Sequence, residues 1–85
     1  MNNETIFAPA TATGKAGVTV IRVSGSRAGE VLMACTQKPL PPPREAQYGG
    51  FFELNTREII DKGLALWFPG PKSFTGEDVA EFHIH

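Results

Sequence analysis

Between Trp67 and Asp78 the chain reads WFPGPKSFTGED, and this stretch constrains the fold more than any other. It separates the most apolar run, Gly63-Leu64-Ala65-Leu66-Trp67-Phe68, from the last run, Val79 to His85. Pro69 and Pro71 lack a backbone N–H and have a fixed φ, so neither can stand inside a central strand. Gly70 and Gly76 permit left-handed or closely approached backbone. The stretch is therefore a stiff loop between extended runs. It holds Lys72, Ser73, Thr75, Glu77 and Asp78 in set directions at little ordering cost. Two readings stay open: a tight surface turn whose Phe74 plugs the core, or a preformed binding loop.

Upstream, Thr5 to Ala8 is short and extended by composition. The run from Ala10 to Gly17 is rich in small residues and could cradle an anion. Its spacing from Gly14 to Gly17 matches neither the dinucleotide fingerprint nor the P-loop, and Lys15 reads as a solvated loop charge. Val18 to Val23 is a β-branched strand. Thr19, Ile21 and Val23 face one way, with Val18, Val20 and Arg22 on the other face. A guanidinium among valines implies either an edge strand with the head snorkelling into water, or a reach toward a carboxylate or planar ligand.

Ser24-Gly25-Ser26 supplies a turn and a helix N-cap. Ala28, Val31, Leu32 and Cys35 then fall at i, i+3, i+4 and i+7, one face of an amphipathic helix over about residues 26–37. Cys35 lies on that stripe and reads as a small core residue rather than a nucleophile. Lys38 to Arg44 is a stiff polyproline crossover. Ala46 to Leu54 and Glu58 to Phe68 read as a hairpin around Asn55-Thr56-Arg57. The second arm becomes continuously apolar, as a central strand covered on both faces would.

From Asp78 onward the pattern alternates, with Ala80, Phe82 and Ile84 apolar and Glu81, His83 and His85 polar. Three such groups suggest a metal, but side chains at i and i+2 point in parallel, about 7 Å apart, too far to share one ion without bending. The expected fold is α+β: a small, mostly antiparallel sheet with one amphipathic helix. It is expected to be incomplete at the C-terminus, because the last run still reads as strand at His85.

The composition narrows the function classes. Eight Lys and Arg against nine Asp and Glu give a formal net charge of -1, no footprint for nonspecific nucleic-acid binding. No apolar run approaches the roughly 20 residues of a membrane span, and Met1 to Glu4 lacks the regions of a signal peptide. A single cysteine favours a reducing, cytoplasmic home.

Over nearly its whole length the sequence resembles the N-terminal domain of the MnmE (TrmE) family of tRNA-modification GTPases. The residues that carry the resemblance are TIFAPAT, GVTVIRVSG (Gly17 to Gly25), IDKGLALWFPGPKSFTGEDVAE (Ile60 to Glu81) and His85. It implies that residues 1–85 are a truncated folate-binding and dimerisation domain, similar to domains of the glycine-cleavage T-protein type. The parent would be a GTP-hydrolysing enzyme with GTP, Mg and K in a domain absent here, so the fragment should be inactive alone. The implied ligand is 5-formyl-tetrahydrofolate, with Arg22 and Glu81 as its contacts and Phe74 and Thr75 as possible loop contributors. No catalytic residue and no metal are implied for this part. The implied partners are a second copy, the flavoprotein MnmG (GidA) and tRNA, whose wobble uridine the parent modifies at C5. The family often reads PGRGGVGIIR where this chain has TGKAGVTVIR, and often has glutamine at His83. The alternative is a purely structural dimerisation module, in which Arg22 and Glu81 form an ion pair or edge charges.

Overall fold

The computed structural model describes residues 5–9, 19–73 and 75–84. The small-residue run with Lys15, the first strand residue Val18, Phe74 and His85 lie outside them. The elements are β1 (Ile6–Pro9), β2 (Thr19–Ser24), α1 (Ala28–Thr36), β3 (Gln47–Phe52), β4 (Ile59–Phe68) and β5 (Val79–Ile84). One five-stranded antiparallel sheet runs in the order β1-β2-β5-β4-β3. The α+β expectation holds.

The helix forms where the apolar stripe predicts. Ala28 and Leu32 are buried against Val23, Phe51, Ala65, Trp67, Ala80 and Phe82, with Val31 and Cys35 packed at the margin. Burial pushes the Cys35 thiol pKa up, which suits a packing role over a nucleophilic one. The cap differs from the expectation. Arg27 is the N-cap residue and no side chain caps the helix. The Arg27 N–H instead donates to Thr5 Oγ1 at 3.1 Å, while Ser24 is committed to the distant loop. The C-terminus closes through Gln37 in the left-handed region, φ 57°, its N–H donating to the Met33 carbonyl.

The hairpin also forms, with shorter arms than the sequence suggests. Glu53 ends its first arm: Oε2 accepts from the N–H groups of Asn55 at 2.9 Å and Thr56 at 2.7 Å. Those bonds hold the Glu53 carboxyl below the usual range. Two strand readings need correction. β2 is not an edge strand, since β5 pairs along its whole length on the side away from β1. β4 is internal, yet its second face is only partly covered, Leu66 and Phe68 being half-buried there. Gly63, Ala65 and Trp67 lie under the helix side, whereas Leu64 remains 38% exposed on the other. A nine-residue helix can blanket one face of a sheet, never both.

The loop from Pro69 to Asp78 folds back on itself. The Gly70 N–H donates to Asp78 Oδ1 at 2.9 Å, the Ser73 hydroxyl donates to the Glu77 carbonyl, and the Gly70–Pro71 peptide is cis. Gly70 is required by contact, because a Cβ there would stand 2.7 Å from the Gly76 carbonyl oxygen.

Candidate functional site

On the sheet face away from α1, the register aligns three cross-strand rows. Arg22, Glu81 and Leu66 form the central row. Val20, His83, Leu64 and Tyr48 form the row on one side, and Ser24, Val79 and Phe68 the row on the other. Residues directly opposite in antiparallel strands share a face, so these side chains make one surface. It is apolar on β4 and polar where β2 meets β5.

At the centre sits Glu81, only 7% exposed. Its Oε2 accepts from Arg22 Nε at 2.8 Å, and its Oε1 lies 2.5 Å from His83 Nε2. Burial pushes the Glu81 carboxyl pKa up, but the hydrogen bonds and positive charge of Arg22 and His83 outweigh it, and the net shift is downward. The carboxylate is therefore ionised at neutral pH, and His83 donates to it from a protonated Nε2. Each carboxylate oxygen has two acceptor positions, so the two donors leave room for others. The parallel geometry expected of i and i+2 side chains does not keep these two apart. Glutamate and histidine are long enough to lean along the strand and meet.

Arg22 thus does reach a carboxylate, and Glu81 is that carboxylate. Its side chain is still 38% exposed, so the pair lies at the floor of an open face rather than in a sealed core. Thr75 is placed near the same strand pair, its Oγ1 2.8 Å from Ser24 Oγ, with the Glu77 carboxylate 3.4 Å from that serine. Thr75 is tied to the end of β2 rather than to Arg22 or Glu81. Among the described residues no group of three or more His, Cys, Asp or Glu could hold a metal ion. A separate apolar pocket of 230 Å³ opens beside α1, lined in part by Ile21, Val31, Cys35, Phe52, Asp61 and Ile84. With so little polar lining it offers nothing to orient a polar ligand.

The N-terminus of the GTP-binding protein TrmE, as a family, matches residues 5–85. The chain belongs to this family. Among curated relatives it is 53% identical to the tRNA modification GTPase MnmE of Paramagnetospirillum magneticum over 83 residues, 98% of this chain and 19% of that protein. The MnmE of Rhodopseudomonas palustris is 55% identical over 86 residues, covering 99% of this chain and 19% of the relative. The MnmE of Pelagibacter ubique is 48% identical over 81 residues, covering 95% and 18%. The chain thus spans under a fifth of each of these MnmE proteins. Of the site residues anticipated from the TrmE resemblance, the fold brings Arg22 and Glu81 together. Sequence reasoning left His83 without a role, and the only signal for it was its place two residues from Glu81 on a strand.

Proposed function

We propose that this chain is the folate-binding and dimer-forming module of a tRNA-modifying GTPase, with 5-formyl-tetrahydrofolate as its ligand. The observation that carries the reading is the Glu81 carboxylate, buried, ionised and held from two sides beside the apolar β4 part of the face. A pterin presents an amide-and-amine edge of adjacent N–H donors, which a fixed carboxylate accepts in bidentate fashion. Glu81 has acceptor positions left for that edge, and Leu64, Leu66 and Phe68 supply an apolar platform beside it. Arg22 stands beside it, and a guanidinium suits a carbonyl, formyl or carboxylate oxygen. The residues present fit the ligand's chemistry. Their task is to bind and orient, and the one-carbon unit is what the folate supplies when bound. Association of two copies, GTP with Mg and K, MnmG, tRNA and a cytoplasmic setting belong to the same proposal for the full-length protein. This chain has no G-x-x-x-x-G-K-[ST] of its own.

One observation favours the structural alternative: Arg22 and Glu81 already satisfy one another inside the chain, as a purely architectural ion pair would. A calorimetric titration of 5-formyl-tetrahydrofolate into the full-length protein separates the two. Glu81→Ala and Arg22→Ala should each lower affinity at least about tenfold, the scale of one lost charge-assisted hydrogen bond, while leaving the association state intact. Dimers that dissociate in Glu81→Ala without any change in folate affinity would establish the scaffold instead.

A further inference from the structure

We infer that a cationic notch at the loop end of the same sheet face is an anion subsite, which receives the glutamate carboxylates of the folate; it rests on the folate reading above. The notch measures 300 Å³ and is lined by Arg44, Phe68, Lys72 and Ser73. Arg44 is fixed at both ends. Its N–H donates to the Trp67 carbonyl at 2.9 Å, its backbone stands in the left-handed region at φ 66°, and its Nη2 donates to the Lys72 carbonyl at 2.5 Å. A non-glycine residue in that region is uncommon and calls for a reason. Here the conformation turns the guanidinium back onto the loop and sets it beside Lys72.

Two cations thus flank one notch, and among the described residues no carboxylate pairs with either, the ion pairs there being Arg22–Glu81, Arg27–Glu30 and His83–Glu81. An arginine fork spends one of its five N–H donors on the loop and keeps the others for a carboxylate. Because the loop already holds it, binding an anion loses little further side-chain entropy.

The notch is also continuous with the site. Phe68 lies two residues along β4 from Leu66, about 7 Å, and Leu66 is the direct cross-strand partner of Glu81. The face therefore runs from a carboxylate, across Leu66 and Phe68, to two cations. A matching ligand has a donor-rich flat head, a flat apolar middle and an anionic tail. Pterin, p-aminobenzoyl and glutamate follow one another in that order in a folate.

The test compares ligands of different tail on the full-length protein by calorimetry: 5-formyl-tetrahydropteroate, which lacks glutamate, 5-formyl-tetrahydrofolate, and its triglutamate. In the natural protein the first glutamate should strengthen binding about tenfold, and added salt should erode that gain. Lys72→Glu should abolish the gain while leaving pteroate affinity as it was. Arg44→Gln, checked for folding by its melting curve, should act in the same direction. Equal affinity for pteroate and folate in the natural protein overturns the subsite and leaves the folate reading standing. Failure of all three ligands to bind removes both. If Lys72→Glu leaves the glutamate gain intact but weakens tRNA binding, the notch contacts phosphate, and the subsite is likewise overturned.

Discussion

At the scale of single residues, His83 carries the clearest consequence for Glu81. A buried carboxylate with one donor titrates higher than one with two, because each hydrogen bond to the charged form favours it. His83→Ala removes the bond to Oε1, so the Glu81 titration midpoint should rise, as read by carboxyl-carbon NMR on the ligand-free protein. An unchanged midpoint would show that the bond at 2.5 Å is not formed in solution. The stability linkage has a definite sign. Since the folded pKa of Glu81 lies below its ordinary value, its contribution is full above the unfolded carboxyl pKa, about 4.3. It is lost as pH falls through the depressed folded value. The gap in denaturant midpoint between the natural chain and Glu81→Gln should therefore be widest near neutrality and narrow in acid. A gap that widened on acidification would contradict the depressed pKa.

At the scale of elements, β4 is held between β3 and β5 by an unusually close approach. A Cβ at Gly63 would stand 2.0 Å from the His83 carbonyl oxygen and 3.1 Å from the Phe51 ring. Gly63 pairs with Gly49 on one side and Ile84 on the other. The Phe51 ring meets Phe82 edge-on, with centroids 5.3 Å apart and planes at 88°. A methyl group at Gly63 must push either the strand or this ring pair. Gly63→Ala should cost about 1–3 kcal/mol, the usual range for overpacking. A urea melt should show a lower midpoint at unchanged slope. A midpoint equal to the natural one would mean that the two strands stand farther apart than described.

Across the whole molecule, the dominant asymmetry is between the two sheet faces. One carries α1 and the core, and the other shows Leu64 and Tyr48, the latter 65% exposed, beside the Arg22–Glu81–His83 group. A contiguous apolar face of this kind marks an interaction surface. The proposed association of two copies gives it a consequence. Leu64→Lys should shift the full-length protein from dimer toward monomer in sedimentation velocity. Its melting temperature at the lowest usable concentration should change little, since the residue lies outside the core. Dimers as tight as before would locate the self-association elsewhere. No helix among the described residues is long and apolar enough to cross a membrane.

The chain by itself determined the elements. Period-two and helical stripes, the Asn55–Arg57 turn and the proline–glycine punctuation from Pro69 to Gly76 are local signals. They placed the helix, the hairpin arms and the last strand within a few residues of where they stand. The strangeness of Arg22 and Glu81 was also legible, as charges on strands of apolar context. Their meeting was open only as the ion pair of the dimerisation-module alternative, and no local signal decided it. Side-chain parity along a strand is set by neighbouring residues, but the partner of that strand is chosen by packing among segments far apart. Only the insertion of β5 between β2 and β4 puts Arg22 against Glu81, 59 residues away, and removes β2 from the edge. Arg44 and Lys72, 28 residues apart, became neighbours in the same way. The cap was misread: Arg27 takes the N-cap position without a side-chain cap, and Ser24 bonds the distant Thr75. The chemistry of the face was written in residue types, while its assembly was decided by strand order.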